Sequence, residues 1–221
     1  INGGDGGDNS IGSETISKAL RKIRLDDNVK AVVLRVNSPG GSSLASDVIW
    51  REVMLTKKVK PIIVSMGDLA ASGGYYISCA ADSIIAEPNT ITGSIGIFAI
   101  IPNLQKLFND KLGITFDGVK TGKYADLGDV SRPLSPEEKA ILQNNVNRGY
   151  DEFTKAVAEG RHKTQKYIDS IGQGRVWTGT QAIKLGLVDR LGTINDAIHS
   201  AAKKANIKKY PLVPYPEQKK G

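Results

Sequence analysis

The amino-terminal half of the chain alternates short apolar runs with amphipathic stretches. The runs 31–36, 61–66 and 83–86 are almost continuously apolar, which predicts three strands covered on both faces. Apolar residues recur at helical spacing over 16–23 and again over 44–53, so each of these segments is predicted to be an amphipathic helix. Strands and helices that alternate in this way predict βαβ units and a parallel sheet.

The carboxyl-terminal half is predicted to be mainly helical. We expect a helix over 102–112, a strand over 114–119 and a polar loop over 120–134. Ser135 is a suitable helix cap and is followed by a proline at the first helical position, so a long helix is predicted from there to about Glu159. Shorter helices are predicted over 164–171, 179–185 and 194–205.

The length of 221 residues fits one domain with a full hydrophobic core. We expect this domain over 1–205, followed by a basic tail over 206–221. The chain opens with a loop rich in glycine and aspartate and then a helix, which is unusual for an α/β domain. We therefore expect a first strand upstream and interpret the chain as a fragment.

The net charge of +7 is concentrated at the carboxyl end, where residues 203–221 hold six lysines and only one acid, Glu217. The rest of the chain is close to neutral, so we expect no nucleic-acid partner. The tail is interpreted as a solvated end, with a contact to anionic lipid or to a partner as the alternative. A single cysteine excludes a disulfide framework, and two histidines leave little for a metal site, so we expect neither metal nor cofactor. No apolar run reaches the roughly 18 residues of a membrane span.

Two glycine clusters follow the first two predicted strands: Asn37–Ser42 (NSPGGS) and Ala70–Tyr75 (AASGGY). In an open α/β sheet, ligands bind at the carboxyl ends of the strands. Backbone N–H groups that converge there can form an oxyanion hole, in which one donor contributes about 3–4 kcal/mol to acyl transfer, and Ser72 would supply a nucleophilic hydroxyl. Either cluster alone is better explained as a tight turn or a packing contact, whereas the two together, with a serine between small residues, are a more specific signal. Neither cluster matches a phosphate-binding loop.

Five segments of the chain resemble the signal peptide peptidase A family, also called protease IV. They are 36–42, 70–76, 92–98, 174–179 and 186–189, in the family's order and spacing over residues 1–200. The resemblance implies an α/β fold of the ClpP/crotonase-like type, built from repeated β-β-α and βαβ units with a parallel sheet and a long carboxyl-side helix.

The resemblance also implies an activity, which is that of a serine peptidase with a serine–lysine dyad that degrades cleaved signal peptides in or at the membrane. It implies Ser72 as the nucleophile and Gly73 as one backbone donor to the oxyanion. Gly40 or Gly41 would be the second donor, and Ser94 would orient the lysine. The two histidines, His162 and His199, fall in polar helical stretches and are predicted to be exposed, which argues against a Ser-His-Asp triad.

The general base is where the chain departs from the family pattern. A lysine base must be neutral near pH 7, which requires a pKa lowered by burial. Short family members carry this lysine in a G-x-x-K stretch, and the matching stretch here begins at Gly122 and has Ala125 in the lysine position. In long, two-half members the carboxyl half carries the serine and the amino half supplies the lysine, so we interpret this chain as such a carboxyl half. Lys123 is the alternative base, and an exposed loop lysine is the other interpretation of it.

The resemblance further implies partners and a location. We expect apolar peptide substrates, namely signal peptides, in a groove with Ile95–Ile101 as one wall. We also expect a homo-oligomer and the amino-terminal half of the same protein. The location implied is the bacterial cell envelope, anchored to the inner membrane through a segment outside this chain, with the catalytic part outside the cytoplasm. Two alternatives stay open: a crotonase-type acyl-CoA enzyme that uses the same oxyanion hole, and an inactive half that serves only as a scaffold.

Overall fold

The computed structural model describes residues 1–7 and 10–216. The chain divides into two compact units, Ile1–Gly96 with Glu152–Gly221, and Ile97–Asp151. The last two lysines of the basic tail and its one glutamate lie outside the described residues. Within the part that is described, no helix is both long and apolar enough to cross a membrane.

Seven α-helices and six strands are present in the described ranges. In chain order they are α1 Ser13–Leu25, β1 Val32–Ser38, α2 Ser43–Lys57, β2 Ile62–Ala71, α3 Gly73–Ser78, β3 Ser83–Ala86, β4 Ile91–Gly93, α4 Pro136–Arg161, α5 Gln165–Ile171, β5 Val176–Thr178, α6 Gly179–Lys184, β6 Arg190–Leu191 and α7 Ile194–Lys204.

Strand β2 is the centre of the sheet. On one side it pairs with β1; on the other it pairs with β3 through its first half and with β4 through its second half. β6 extends the sheet beyond β3 in the parallel sense, and β5 pairs antiparallel with β4. The expected parallel sheet is therefore confirmed, with one short antiparallel strand added at an edge.

The burial pattern explains why the strand predictions succeeded. Ile62, Ile63, Val64 and Met66 of β2 have no exposed surface, as expected for a strand covered on both faces. The start of α4 also follows its sequence: the Ser135 N–H donates to Glu138 Oε2 at 2.8 Å, and the Glu138 N–H donates to Ser135 Oγ at 3.2 Å. This reciprocal capping fixes where the long helix begins.

Three sequence predictions need correction. β2 does not stop at Met66 but continues to Ala71, because its last residues pair with β4. Residues 114–119 form no strand. In place of the helix predicted over 102–112, only residues 105–106 are α-helical, and a π-helix, Leu107–Leu112, follows them. In addition, β4, β5 and β6 are only two or three residues long, which is too short for hydrophobic periodicity to reveal them.

The unit Ile97–Asp151 contains the π-helix, the loop over 120–134 and the first part of α4. Large apolar side chains in it are exposed, among them Phe98 and Ile100 at 80% and Val119 at 99%. Phe108 and Phe116 pack edge to face with ring centroids 4.8 Å apart. No residue of the π-helix is buried, so this unit has little core of its own.

Candidate active site

Ser72 occupies a sharp turn between a buried strand and a short helix. β2 ends at Ala71 and α3 begins at Gly73, so the serine alone connects the two elements. Its backbone has φ 52° and ψ −120°, which is a strained conformation for a residue with a side chain. The Ser72 N–H donates to the Gly93 carbonyl at 3.0 Å, which fixes this backbone to β4. A sharp strand-to-helix turn of this kind exposes a nucleophilic hydroxyl at the end of a sheet.

The turn after β1 packs directly against this serine. Gly40 has φ +102°, and a methyl group added to it would lie 2.6 Å from the Gly73 nitrogen and 2.9 Å from the Ser72 Cβ. Real side chains do not tolerate such distances. Glycine is therefore required here both by the backbone conformation and by the close approach of the two segments.

Two backbone N–H groups beside Ser72 are available to a ligand. The Gly40 N–H donates to Ser38 Oγ at 3.1 Å and is already used. Among the described residues, no acceptor is bonded to the N–H of Gly41 or to that of Gly73. A methyl built on Gly73 would be 3.3 Å from the Gly41 nitrogen, so these two donors are close together. Their arrangement can bind an oxyanion formed on a carbonyl attacked by Ser72.

Ser94 follows the neighbouring strand in the same way that Ser72 follows β2. Ala71 is paired with Gly93, so the two serines come directly after paired residues of parallel strands. Ser94 also has a positive φ, 47°, and its N–H donates to the Arg175 carbonyl at 2.8 Å. In the described ranges, neither serine hydroxyl is hydrogen-bonded to another group of the chain. The structure thus brings Ser72, Ser94 and the glycines of both clusters to one edge of the sheet.

Further contacts position this site through residues to which the sequence analysis assigned no role of their own. The Ile1 nitrogen donates to the Gly40 carbonyl at 2.5 Å, and the Ser42 N–H donates to the Ile1 carbonyl at 2.8 Å. Asn37 Oδ1 accepts a 3.1 Å bond from the Leu69 N–H and links β1 to the end of β2. The polar pair that ends an otherwise apolar strand, Asn37 and Ser38, was the available signal.

The model of peptidase family S49 matches residues 54–208, and that of Clp protease matches residues 8–92. This chain belongs to peptidase family S49. It is 45% identical to Protease 4 of Haemophilus influenzae over 92% of this chain, and 42% identical to the chloroplastic serine protease SPPA of Arabidopsis thaliana over 92% of this chain. It covers only 33% and 31% of those two proteins, so it spans about a third of their length.

A ClpP1 mutant from Listeria monocytogenes has the same fold, with a TM-score of 0.56 at 18% identity, over 84% of this chain and 86% of that one. The ClpP-like α/β fold and the signal peptide peptidase A family expected from the sequence are therefore confirmed. The two relatives are named as proteases, and the Arabidopsis protein as a serine protease.

Other candidate side chains of this S49 family member have ordinary structural roles. His162 and His199 are exposed, as expected for surface histidines. Cys79 is fully buried, and this burial raises the pKa of its thiol to about 12, so it is a core residue rather than a second nucleophile. Within residues 1–7 and 10–216, no group of three or more histidine, cysteine, aspartate or glutamate side chains could hold a metal ion.

Lys123 lies in the other unit, Ile97–Asp151, and makes an ion pair there. Its Nζ is 2.5 Å from Glu137 Oε2 and 5.4 Å from the centre of the Tyr124 ring, and its side chain is 66% exposed. The hydrogen bond to the Glu137 carboxylate raises the pKa of Lys123 above its usual value. A lysine base needs the opposite shift, since only the neutral amine accepts a proton.

The loop over 120–134 is held by a second group of ion pairs. Arg132 donates to Asp126 Oδ2 at 2.7 Å and to both carboxylate oxygens of Glu138 at 2.6 and 2.8 Å. Glu138 is only 3% exposed, and the Arg132 guanidinium with the Ser135 N–H lowers the pKa of its carboxyl to about 2. Lys120 adds a 2.5 Å contact to Asp126. These charges order the loop that contains Ala125, the position at which the family pattern has a lysine.

Proposed function

We propose that this chain is the nucleophile-bearing, carboxyl-terminal half of a serine–lysine endopeptidase that degrades cleaved signal peptides in or at the membrane. One observation supports this proposal most strongly: Ser72 sits in a strained strand-to-helix turn beside the N–H groups of Gly41 and Gly73, which have no acceptor in the described part of the chain. A turn that served only for packing would not need a hydroxyl at a strained position next to two unused donors.

The proposed reaction is acyl transfer through a covalent intermediate. The Ser72 hydroxyl loses its proton to the base as its oxygen bonds to the peptide carbonyl carbon. The negative charge on the former carbonyl oxygen is stabilised by the Gly41 and Gly73 N–H groups. The protonated base then gives its proton to the leaving amine, and the peptide bond breaks. Water hydrolyses the acyl-enzyme by the same steps and releases the second product.

We assign the second oxyanion donor to Gly41 rather than to Gly40. The Gly40 N–H is bonded to Ser38 Oγ, whereas the Gly41 N–H has no acceptor in the described part of the chain. Gly40 would then act indirectly, because its lack of a side chain lets the turn approach Ser72 and Gly73. Ser94 would hold the lysine amine in place through its hydroxyl.

The base would come from an amino-terminal half of the same protein. Ala125 replaces the lysine of the family pattern, and Lys123 is exposed, paired with Glu137 and has a raised pKa. A lysine in that state is protonated at neutral pH and cannot accept the serine proton. The length of the relatives, about three times that of this chain, is compatible with a second half.

The substrates would be apolar peptides, and the protein would act as a homo-oligomer. Exposed apolar side chains in the stretch expected to line the substrate groove, Phe98 and Ile100, fit such substrates. We also propose that the protein lies in the bacterial cell envelope. A segment outside this chain would anchor it to the inner membrane, with the catalytic part outside the cytoplasm.

A fluorophosphonate probe tests this function, because it reacts covalently only with an activated serine. We expect labelling of the assembled protein at Ser72, located by mass spectrometry of its peptides, and no labelling of the Ser72→Ala variant. Acyl-CoA turnover without labelling would instead identify a crotonase-type enzyme. A well-folded protein that shows neither labelling nor acyl-CoA turnover would be a scaffold. Either of these two results would overturn the proposal.

A further inference from the structure

The turn that follows β1 leaves one backbone N–H without an acceptor. Pro39 has no N–H to offer. The Gly40 N–H donates to Ser38 Oγ at 3.1 Å, and the Ser42 N–H donates to a backbone carbonyl at 2.8 Å. Within the described part of the chain, this leaves the N–H of Gly41 as the donor that the turn can present to a ligand. The bond to the Ser38 hydroxyl therefore helps to decide which glycine is the donor.

Ser38 is held firmly enough to fix this turn. It is the last residue of β1, is 2% exposed and pairs with Ala70 of β2. A methyl built on Gly74 would lie 2.6 Å from the Ser38 carbonyl oxygen, so the start of α3 packs against the serine backbone. A serine oxygen that accepts from the N–H two residues later closes a local turn. Without the hydroxyl, the Gly40 N–H would lose its acceptor, and the turn could rotate to find another.

A second buried serine, Ser46 of α2, lies where the two proposed oxyanion donors come together. It is 1% exposed, and its Oγ donates to the Ser42 carbonyl at 2.9 Å. A methyl built on Gly73 would collide with this Oγ and would lie 3.3 Å from the Gly41 nitrogen. The Ser46 hydroxyl is thus bonded to the end of the turn and is in contact with the first residue of α3. It acts as a spacer between the two segments that carry the donors.

We propose that Ser38 and Ser46 are positioning residues of the oxyanion hole. Ser38 holds the turn in the form that presents the Gly41 N–H, and Ser46 sets the distance from this N–H to that of Gly73. The inference rests on the proposed peptidase function, because it concerns how the oxyanion of that reaction is bound. Catalysis depends steeply on such placement, and a displacement of about 1 Å can cost about 10²-fold in rate.

An apolar peptide ester and its thiono analogue, which has C=S in place of C=O, test this role in the assembled protein. Sulfur accepts hydrogen bonds from N–H groups poorly, so the ratio of the two kcat/KM values reports on the oxyanion hole. A smaller folded fraction lowers both values equally and leaves the ratio unchanged. We expect Ser38→Ala and Ser46→Ala each to lower kcat for the ester by about 10- to 100-fold, with little change in KM, and to lower the ester-to-thiono ratio.

Ser65→Ala in β2 is the matched control. Ser65 is also buried, at 1% exposure, and its Oγ accepts a bond from the Arg35 guanidinium at 2.8 Å. Its loss should lower the melting temperature and leave the ratio unchanged. Ser38→Thr keeps the hydroxyl and should stay close to the parental ratio. A third variant, Ser38→Ala combined with Gly40→Ala, should lose less than the product of the two single losses, because both act through the same turn.

The outcomes separate this inference from the function on which it rests. A parental ratio in either Ser38→Ala or Ser46→Ala would overturn the inference, since that hydroxyl would then serve stability alone. Losses that multiply in the combined variant would also overturn it. If the parent protein hydrolyses neither ester and Ser72 is not labelled by a fluorophosphonate, the proposed function itself is overturned, and the inference with it.

Discussion

The two regions that the family pattern associates with catalysis are constructed in different ways. Around Ser72 the positions are set by backbone: strand pairing, the Gly93 carbonyl and the close approach of Gly40. In the loop over 120–134 they are set by side chains, through ion pairs of Arg132 and Lys123. The first region brings a serine hydroxyl next to two backbone N–H groups that have no acceptor in the described part of the chain, whereas in the second Lys123 is exposed and paired with Glu137.

This difference indicates which parts of a serine–lysine site can be separated. Oxyanion donors are backbone N–H groups, so they must be built by the same fold that holds the nucleophile. A base is one amine at the end of a flexible side chain, and any segment that reaches the serine can provide it. A protein with two related halves can therefore keep the nucleophile in one half and the base in the other.

The largest loss of activity should come from removing the Ser72 hydroxyl in the first region. We expect Ser72→Ala to reduce peptidase activity of the assembled protein by roughly 10⁴- to 10⁶-fold, since no other group can form the acyl-enzyme. The circular dichroism spectrum should not change. Ser200→Ala in α7 is the matched control and should retain full activity. Near-normal cleavage of an apolar peptide by a folded Ser72→Ala protein would remove this serine from the mechanism.

A smaller effect is expected where the two glycine clusters meet. Gly40→Ala places a methyl against the Gly73 nitrogen and the Ser72 Cβ, so the turn must move and the Gly41 donor with it. We expect kcat to fall by about 10²- to 10³-fold, the size of the loss of one oxyanion donor.

Gly113→Ala separates the effect of contact from that of backbone strain. Gly113 also has a positive φ, +65°, but nothing lies within 4 Å of an added methyl. Gly113→Ala should therefore cost about 1–2 kcal/mol of stability, the strain of a side chain in the left-handed region, and leave kcat unchanged. Equal losses of kcat in the two variants would contradict the role assigned to the Gly40 contact.

In the second region, a substitution should change how stability depends on pH rather than abolish catalysis. The pKa of Glu138 in the folded state, about 2, is below its usual value of 4.5. Its contribution to stability is therefore complete above about pH 4.5 and is lost as the pH falls towards 2. We expect Glu138→Gln to melt a few degrees below the parent chain at pH 7, with the gap closing by about pH 2. Glu14→Gln, at an exposed residue, should show almost no gap at any pH. A Glu138→Gln gap that is independent of pH would refute this account.

Much of the fold was predictable because continuous burial produces continuous apolar sequence. β1, β2 and β3 were found for this reason, and the long helix α4 was found from the serine cap and proline at its start. The strand predicted over 114–119 is wrong because Ile114, Phe116 and Val119 have the composition of a strand but no partner strand in their unit. Pairing is a property of the folded chain, and local composition does not contain it.

The candidate site was predictable only as residue types. The order of Gly40, Gly41, Ser72 and Ser94 indicated a peptidase, but their roles depend on contacts that no local pattern encodes. The bond from the Gly40 N–H to Ser38 Oγ, which leaves Gly41 as the available donor, is one such contact. The pairing of Lys123 with Glu137, fourteen residues later, is another.

The central claim is that the base lies outside this chain. Its most direct test compares one rate in two proteins. The kcat/KM for an apolar peptide ester is measured for the 221-residue chain and for the assembled two-half protein, each with and without Lys123→Ala. We expect the chain alone to be slower by about 10²- to 10⁴-fold, the contribution of a positioned base, and Lys123→Ala to change neither rate by more than about twofold. Rapid hydrolysis by the unmodified chain that is lost on Lys123→Ala would contradict the account, because the base would then lie within this chain.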